Sequence, residues 1–476
     1  MVGTGAWNGK KVVIIGAARQ GIALARYLAS HGARVVLTDQ KPASEFKAAI
    51  DSLADLDVVW VCGGHPLSLL ESIDLLCVSG GVPLGLPLIE EATRRGISLS
   101  NDSQIFMEAV PCKVIGITGS AGKTTTTTLV GRIAQAALEF SKSAYYRQIW
   151  VGGNIGTPLI SMVDEMKPDD LAIVEFSSFQ LEIMHHSPQI SAVLNVTPNH
   201  LDRHGTMQAY SAAKARILEF QLSGDAAILG RDDPGAWALA AKVRGQLYSF
   251  GFSELPKGKP GIFLQGEKLY LRLPDGLEEP VMGKEAIELR GEHNVLNVMA
   301  ACAIAAAAGL PIHAMQKSVA GFRGVTHRLE FVRSWGGADW YNDSIATAPE
   351  RSMAAIRSFQ EPLVLLAGGR DKNLPWDDFA DLVRQRVDHL IVFGEAADKI
   401  LTAMDLSGKT ATNNTSSNNM PTVRRCSNLQ EAVQVAAQTI RPGDVVLLSP
   451  GGTSFDEFKD FEERGKCFAQ WVKELA

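Results

Sequence analysis

The chain has 476 residues, 46% of them hydrophobic and 21% charged, a globular balance that excludes a mostly disordered or fibrous polymer; at roughly 150 residues per domain it points to about three domains. Forty-six Lys and Arg against 52 Asp and Glu leave a net charge of −6, which excludes a broad nucleic-acid surface but not local cation clusters that hold small anions. The six cysteines are scattered without a C-x-x-C pair, so neither a zinc site nor a disulfide framework is indicated and reduced thiols are expected.

In chain order, β-rich runs alternate with helical patterns: strand Lys11–Gly16, helix Gly21–His31, strand Ala33–Asp39, then strands at Val58–Cys62 and Leu75–Ser79. Such alternation predicts a parallel sheet. Val12–Ile15 is too short for a signal-peptide core of roughly 7–15 residues. A turn at Ala109–Pro111 precedes strand Lys113–Thr118, a glycine-rich turn and helix Lys123–Ala137, which places a first domain boundary at residue 110. Strands follow at Leu171–Glu175, Ala192–Asn195 and Ala226–Gly230, and Ile262–Leu264 with Lys268–Leu273 reads as a hairpin about Gln265–Glu267. The longest apolar run, Val298–Leu310, falls short of the ~20 residues that cross a bilayer and reads as a buried helix. Gly321–Arg328 looks like a linker, giving domains 1–110, 111–324 and 325–476. The last domain has strands at Trp340–Asn342, Leu363–Ala367, Leu390–Phe393 and Val445–Leu448, with a closing helix over Phe458–Leu475. Asn-, Ser- and Thr-rich Leu406–Asn428 reads as a mobile surface loop. A cytoplasmic, monomeric protein without membrane insertion or nucleic-acid partner is expected.

Two turns carry phosphate-binding character. Gly16-Ala17-Ala18-Arg19-Gln20-Gly21 follows an apolar strand like a dinucleotide fingerprint, with Asp39 where a ribose-binding acid would stand. Ala18 occupies the middle glycine, which weakens a nicotinamide reading but leaves the helix N-terminus usable by another nucleotide. The sharper signal is Gly119-Ser120-Ala121-Gly122-Lys123-Thr124-Thr125, closing one strand and opening a helix. Its glycines let backbone N–H groups turn around phosphate oxygens, Lys123 reaches the terminal phosphates, and the Thr124 hydroxyl suits Mg²⁺. Ile117 stands at the first glycine of the standard G-x-x-x-x-G-K-[ST] pattern. Glu175 ends an apolar strand, where parallel-sheet proteins place ligand-facing groups, and is a candidate Mg²⁺ ligand or an ordinary surface acid. Asn195–His204 ends another strand and offers His200 beside Asp202 and Arg203.

These motifs, with Tyr210–Ile217, Gly291–Asn297, His327-Arg328, Asn342-Asp343-Ser344, Leu447–Pro450 and Ser454–Phe461, make the chain similar to the Mur ligase family over nearly its full length. The resemblance implies an α/β protein of three domains, Rossmann-like, P-loop ATPase-type and Rossmann-like. It implies ATP-driven amide formation in peptidoglycan precursor synthesis: the carboxylate of UDP-N-acetylmuramoyl-L-alanine is phosphorylated and the acyl phosphate is attacked by the amine of glutamate. Lys123, Glu175, His200 and Lys214 are then the catalytic residues. Two Mg²⁺ sites are implied, on Thr124 with Glu175 and on His200, and Lys214 matches a lysine that CO₂ carbamylates. Asn297 and Arg328 would bind the adenine nucleotide and Asp343 its ribose. Ala18, Arg19, Gln20, Asp39, Gln40, Lys41 and Gly81 would hold the uridine nucleotide, Asn154 and His200 the muramoyl part, and Thr347, Lys372, Ser454 and Phe461 the amino acid.

The chain departs from the family pattern in three places: Ile345 stands where many relatives have a lysine, Asn199 replaces a common acid before His200, and the aromatic and basic Ser141–Trp150 is not explained by the pattern. A ligase of L-glutamate, a nucleotide-responsive binding protein and an NAD oxidoreductase stay open as alternatives.

Overall fold

Short runs of Val, Ile and Leu followed by amphipathic helices bury both faces of a strand only when the strands lie parallel under a cover of helices. The chain does this in three sheets. The structure, a computed structural model, describes residues 6–140, 146–154, 156–372, 374–405 and 420–476. The first sheet is parallel, in the order β3-β2-β1-β4-β5: β1 (Lys11–Ile15), β2 (Arg34–Asp39), β3 (Val58–Cys62), β4 (Leu75–Val78) and β5 (Leu99–Ser100). Strand order reverses at β1, so the loops leaving β1, β2 and β4 open at one crevice. Helix Arg19–Ser30 leaves β1 tightly: a Cβ on Gly21 would lie 1.9 Å from the Gly16 carbonyl oxygen.

The second sheet runs β14-β13-β12-β11-β10-β9-β6-β8-β7. It comprises β6 (Lys113–Thr118), β7 (Ile149–Gly153), β8 (Leu171–Glu175), β9 (Ile190–Val193), β10 (Ala226–Gly230), β11 (Gln246–Gly251), β12 (Gly261–Gln265), β13 (Lys268–Arg272) and β14 (Glu278–Gly283). β12 to β14 are the expected antiparallel hairpin with one further strand; the rest are parallel. Helix Glu292–Ala307 extends the Ala-rich run backwards, and its small side chains let it lie buried along helix Lys123–Phe140. The third sheet, β15-β16-β20-β17-β18-β19, holds β15 (Glu330–Trp335), β16 (Ala338–Asn342), β17 (Leu363–Gly368), β18 (His389–Phe393), β19 (Thr422–Arg425) and β20 (Val445–Gly451), with only β15 antiparallel.

Two expectations change, and part of one unexplained stretch gains a structural role. Within Leu406–Asn428, residues 406–419 lie outside the described residues, but Thr422–Arg425 is an edge strand rather than loop, because β18 offers a free parallel edge and Val423 turns inward. The closing helix starts at Phe461, not Phe458, because Asp460 caps it by accepting the Glu463 N–H. Of Ser141–Trp150, residues 141–145 lie outside the described set, while Arg147 and Trp150 both donate to Asp170, at 2.7 and 2.9 Å, and thereby fasten β7 to the start of β8.

Residues 1–288 with 292–321 form one compact unit carrying the first two sheets, and 289–291 with 322–476 form another carrying the third. Among the described residues no helix is long and apolar enough to cross a membrane. Overpacking the β1 turn with Gly21→Ala is expected to lower stability by about 1–3 kcal/mol. A denaturant midpoint equal to that of the parent would contradict the tight packing of that turn.

Candidate active site

The loop after β6 is braced by the loop after β9. Ser120 N–H donates to the Asn195 carbonyl at 3.0 Å, Ala121 N–H to Asn195 Oδ1 at 2.8 Å, and the Ser120 hydroxyl to the Thr197 carbonyl at 3.0 Å. Gly122 has φ +79°, and a Cβ there would stand 2.2 Å from Asn297 Oδ1, so Asn297 lies directly against the loop. Lys123 Nζ is folded back on the Gly119 carbonyl at 2.8 Å. The next residue, Thr124, donates its hydroxyl to Glu175 Oε2 at 2.9 Å, and Asn154 donates its amide to Glu175 Oε1 at 2.9 Å. Glu175 itself is 1% exposed at the end of β8. Thr125 is buried in the first turn of the helix.

Lys214 comes from helix Met207–Glu219, whose start is fixed by the Thr206 side chain accepting the Ala209 N–H. It is 1% exposed, donates to the Gly119 carbonyl at 2.9 Å and stands 4.7 Å from the Tyr210 ring centroid. Burial, reinforced by the charge of Lys123 and opposed by Glu175, pushes its pKa down to about 6, so the amine is neutral at pH 7. Nothing in a helix pattern distinguishes such a lysine from a solvated one. His200 takes a left-handed conformation, φ 53°, and meets Phe179 edge-on at 5.1 Å. Arg203, which sequence reasoning left without a role, stacks 4.0 Å over Phe179 and donates to the Gly81 and Val82 carbonyls at 3.1 and 2.6 Å. It thus ties the His200 loop to the crevice of the first sheet.

In that crevice Asp39 uses both oxygens locally, accepting Ala17 N–H at 2.8 Å and Lys41 N–H at 3.0 Å, which fixes the β1 and β2 loops against one another. No side chain caps helix Arg19–Ser30 at Ala18, and Ala18, Arg19, Gln40, Lys41 and Gly81 are exposed, with Gln20 half-buried.

The remaining candidates belong to the other unit. Asp343 follows β16, fully covered; it accepts the Ser449 hydroxyl at 2.8 Å and the Leu329 N–H at 3.3 Å, and burial pushes its carboxyl up to about 7. Arg328 sits between two left-handed residues, His327 and Leu329, and its Nε is buried with no hydrogen-bond partner among the described residues. Thr347 follows on the same turn, and Lys372 is exposed beyond β17, its pKa lowered by partial burial and by Arg351. Ser454 is buried, and the Phe461 carbonyl accepts the Ser344 hydroxyl at 2.8 Å. Fully buried Arg464 donates to the Ser344, Gly452 and Thr453 carbonyls at 2.9, 3.1 and 2.9 Å.

Family models match all three parts: "Mur ligase MurD-like, N-terminal domain" over residues 10–101, "Mur ligase middle domain" over 117–305 and "Mur ligase, glutamate ligase domain" over 327–452. A protein of Symbiobacterium thermophilum named UDP-N-acetylmuramoylalanine--D-glutamate ligase is 40% identical over 98% of both chains, and one of the same name from Koribacter versatilis is 38% identical over 98% of both. The chain belongs to the Mur ligase family. Solved structures of a Thermotoga maritima UDP-N-acetylmuramate-alanine ligase (TM-score 0.55, 17% identity, 98% and 99% covered) and of Acinetobacter baumannii MurF (TM-score 0.54, 19%, 98% and 91% covered) share the fold of this Mur ligase. The match to the Mur ligase middle domain takes in Thr124, Asn154, Glu175, His200, Lys214 and Asn297. That to the glutamate ligase domain takes in Arg328, Asp343, Thr347 and Lys372, and stops short of Ser454 and Phe461.

The Asp343 carboxyl yields a sign-definite expectation. Its pKa rises from 3.8 in the unfolded chain to about 7 when folded, so the native state binds more protons between those values and loses stability as pH rises through them. Relative to Asp343→Asn, which keeps a side-chain acceptor for Ser449 without the charge, the wild-type Mur ligase should lose thermal stability from pH 5 to pH 8. Parallel melting curves over that range would refute the assignment.

Proposed function

We propose that this Mur ligase joins D-glutamate to UDP-N-acetylmuramoyl-L-alanine in peptidoglycan precursor synthesis, with cleavage of ATP to ADP and phosphate, in the cytoplasm. The observation that carries the reading is the Lys123-Thr124 loop pinned to buried Glu175 beside the neutral amine of Lys214, in a chain about 40% identical end to end to ligases of that name. Residues 1–110 hold the uridine nucleotide on the crevice around Ala18, Asp39 and Gly81. Residues 111–324 hold ATP on the phosphate loop with Asn297, and residues 325–476 hold glutamate with Thr347, Lys372, Ser454 and Phe461, Arg328 and Asp343 being the candidates of that part for the adenine nucleotide and its ribose.

The reaction divides into two transfers. A carboxylate oxygen of the muramoyl substrate attacks the γ-phosphorus and the bond to the β-phosphate oxygen breaks, releasing ADP. The glutamate amine then attacks the acyl carbon, phosphate leaves with the former carboxylate oxygen, and the nitrogen loses a proton. Lys123 exchanges the Gly119 carbonyl for a phosphate oxygen, so its charge follows the transferred group. Asn154 orients Glu175, and Arg203 keeps the uridine crevice in register with the His200 loop.

The donor set suits Mg²⁺: Thr124 Oγ1 and Glu175 Oε2 are hard oxygens 2.9 Å apart, close to the spacing of about 3 Å between neighbouring ligands of an octahedral ion bound at ~2.1 Å. Thr124 and Glu175, and His200 at a second site, would hold Mg²⁺, which would neutralise charge on the phosphoryl oxygens. The buried neutral amine of Lys214 is competent to react with CO₂, which would convert it into an anionic ligand.

Phosphate release from ATP, Mg²⁺ and UDP-N-acetylmuramoyl-L-alanine should require D-glutamate and not proceed with L-glutamate; no release from folded protein refutes the ligase. A binding protein or an oxidoreductase has no use for this arrangement of Lys123, Glu175 and Lys214. Lys123→Ala should abolish turnover. Lys214→Ala should lose most of it and regain part with acetate, whereas wild-type rates in that variant would refute the carbamate role.

A further inference from the structure

Arg351 of the second unit lies within electrostatic reach of two other cations, Arg328 and Lys372, and of two carboxylates, Asp343 and Glu350, and both arginines act on Asp343. Asp343 cannot neutralise them: it is buried, and its oxygens are already taken by the Ser449 hydroxyl and the Leu329 N–H. Among the described residues no carboxylate pairs directly with Arg328, Arg351 or Lys372. Like charges within reach of one another repel until an anion enters, so the cluster favours anions.

Arg351 is the member of that cluster without a partner in the reaction as described. It extends from the first turn of helix Pro349–Ile356, is exposed, and its Nη1 reaches back to the Ile345 carbonyl at 3.4 Å, a long bond that is easily exchanged. Its guanidinium therefore lies by the turn Asp343–Thr347, at the position where Ile345 itself brings no charge. Glutamate carries two carboxylates, and Lys372 is a single cation with one point charge. A second cation would hold the other carboxylate more firmly than neutral hydroxyl and N–H donors do, while the amine stays free.

We propose that Arg351 binds one carboxylate of the incoming glutamate, sharing the amino-acid subsite with Lys372 and supplying from the helix the charge that position 345 lacks. The proposal rests on the ligase reading above. The planar guanidinium fork matches both oxygens of a carboxylate, which gives direction to the substrate as well as charge.

The test is the steady-state kinetics of Arg351→Gln with D-glutamate, with D-glutamine, which lacks the side-chain carboxylate, and with D-isoglutamine, which lacks the α-carboxylate. KM for D-glutamate should rise about 10- to 100-fold, the loss expected for a charged hydrogen bond, while KM for ATP is unchanged. Discrimination against one of the two amides should collapse, and which one identifies the carboxylate held. Ile345→Lys added to that variant should recover part of the loss, and a melting temperature equal to wild type excludes misfolding. An unchanged glutamate KM, or an equal rise for the acid and both amides, overturns the proposal while leaving the ligase intact. A wild-type protein that releases no phosphate with D-glutamate overturns the ligase reading itself.

Discussion

Glu175 spends one carboxylate oxygen on the Thr124 hydroxyl and the other on the Asn154 amide, and it does so 1% exposed. A carboxylate in that position is costly unless it is paired or fully hydrogen-bonded. Its two donors come from the helix start that follows β6 and from the loop after β7, strands that flank β8 in the sheet, so satisfying this charge fixes the relative positions of three strand ends. The phosphate loop is held from the other side by Asn195 after β9. What looks like a flexible glycine turn in sequence is therefore clamped between two neighbouring strands, at the cost of two of its N–H groups, those of Ser120 and Ala121, which donate to Asn195.

The net charge of −6 is a poor guide to a chain whose proposed substrates are all anions. Attraction is created locally and by different means in each sheet. At the first crevice it comes from the helix start at Ala18, which no side chain caps. At the second it comes from the loop amides with Lys123, and Lys214 is stripped of its charge by burial so that it does not compete. In the third it comes from side chains alone, Arg328, Arg351 and Lys372, around an acid whose burial favours its protonated form.

Legibility in the sequence followed the range of the interaction. The phosphate loop was readable because glycines, lysine and threonine act within one strand–turn–helix unit, and Glu175 was readable because it ends an apolar strand. Asp39 stands at the end of β2, as the pattern indicates, and its carboxylate anchors the backbone of Ala17 and Lys41, a use that only the neighbouring loop reveals. Arg351 carried no signal and Arg203 only its place beside His200, since each acts on carbonyls or charges that the chain brings near by folding. The strand at Thr422–Arg425 was hidden by polar composition, because an edge strand needs only one inward residue, Val423, to be paired. Lys214 was distinguishable from a surface lysine only through the family resemblance, since the walls that bury it come from other elements.

Arg464 shows how far such long-range construction goes. It is fully buried, faces carbonyls of Ser344, Gly452 and Thr453 rather than an acid, and burial lowers its pKa to about 10. A guanidinium tolerates this because its five donors lie in one plane and its charge is delocalised, whereas an ammonium offers three donors about a point. Ser344 adjoins Asp343, and Thr453 adjoins Ser454. One side chain from the closing helix thus fixes the turn proposed for the nucleotide ribose to the strand end proposed for glutamate, and the two half-sites of the third sheet are rigid with respect to each other by the same set of bonds.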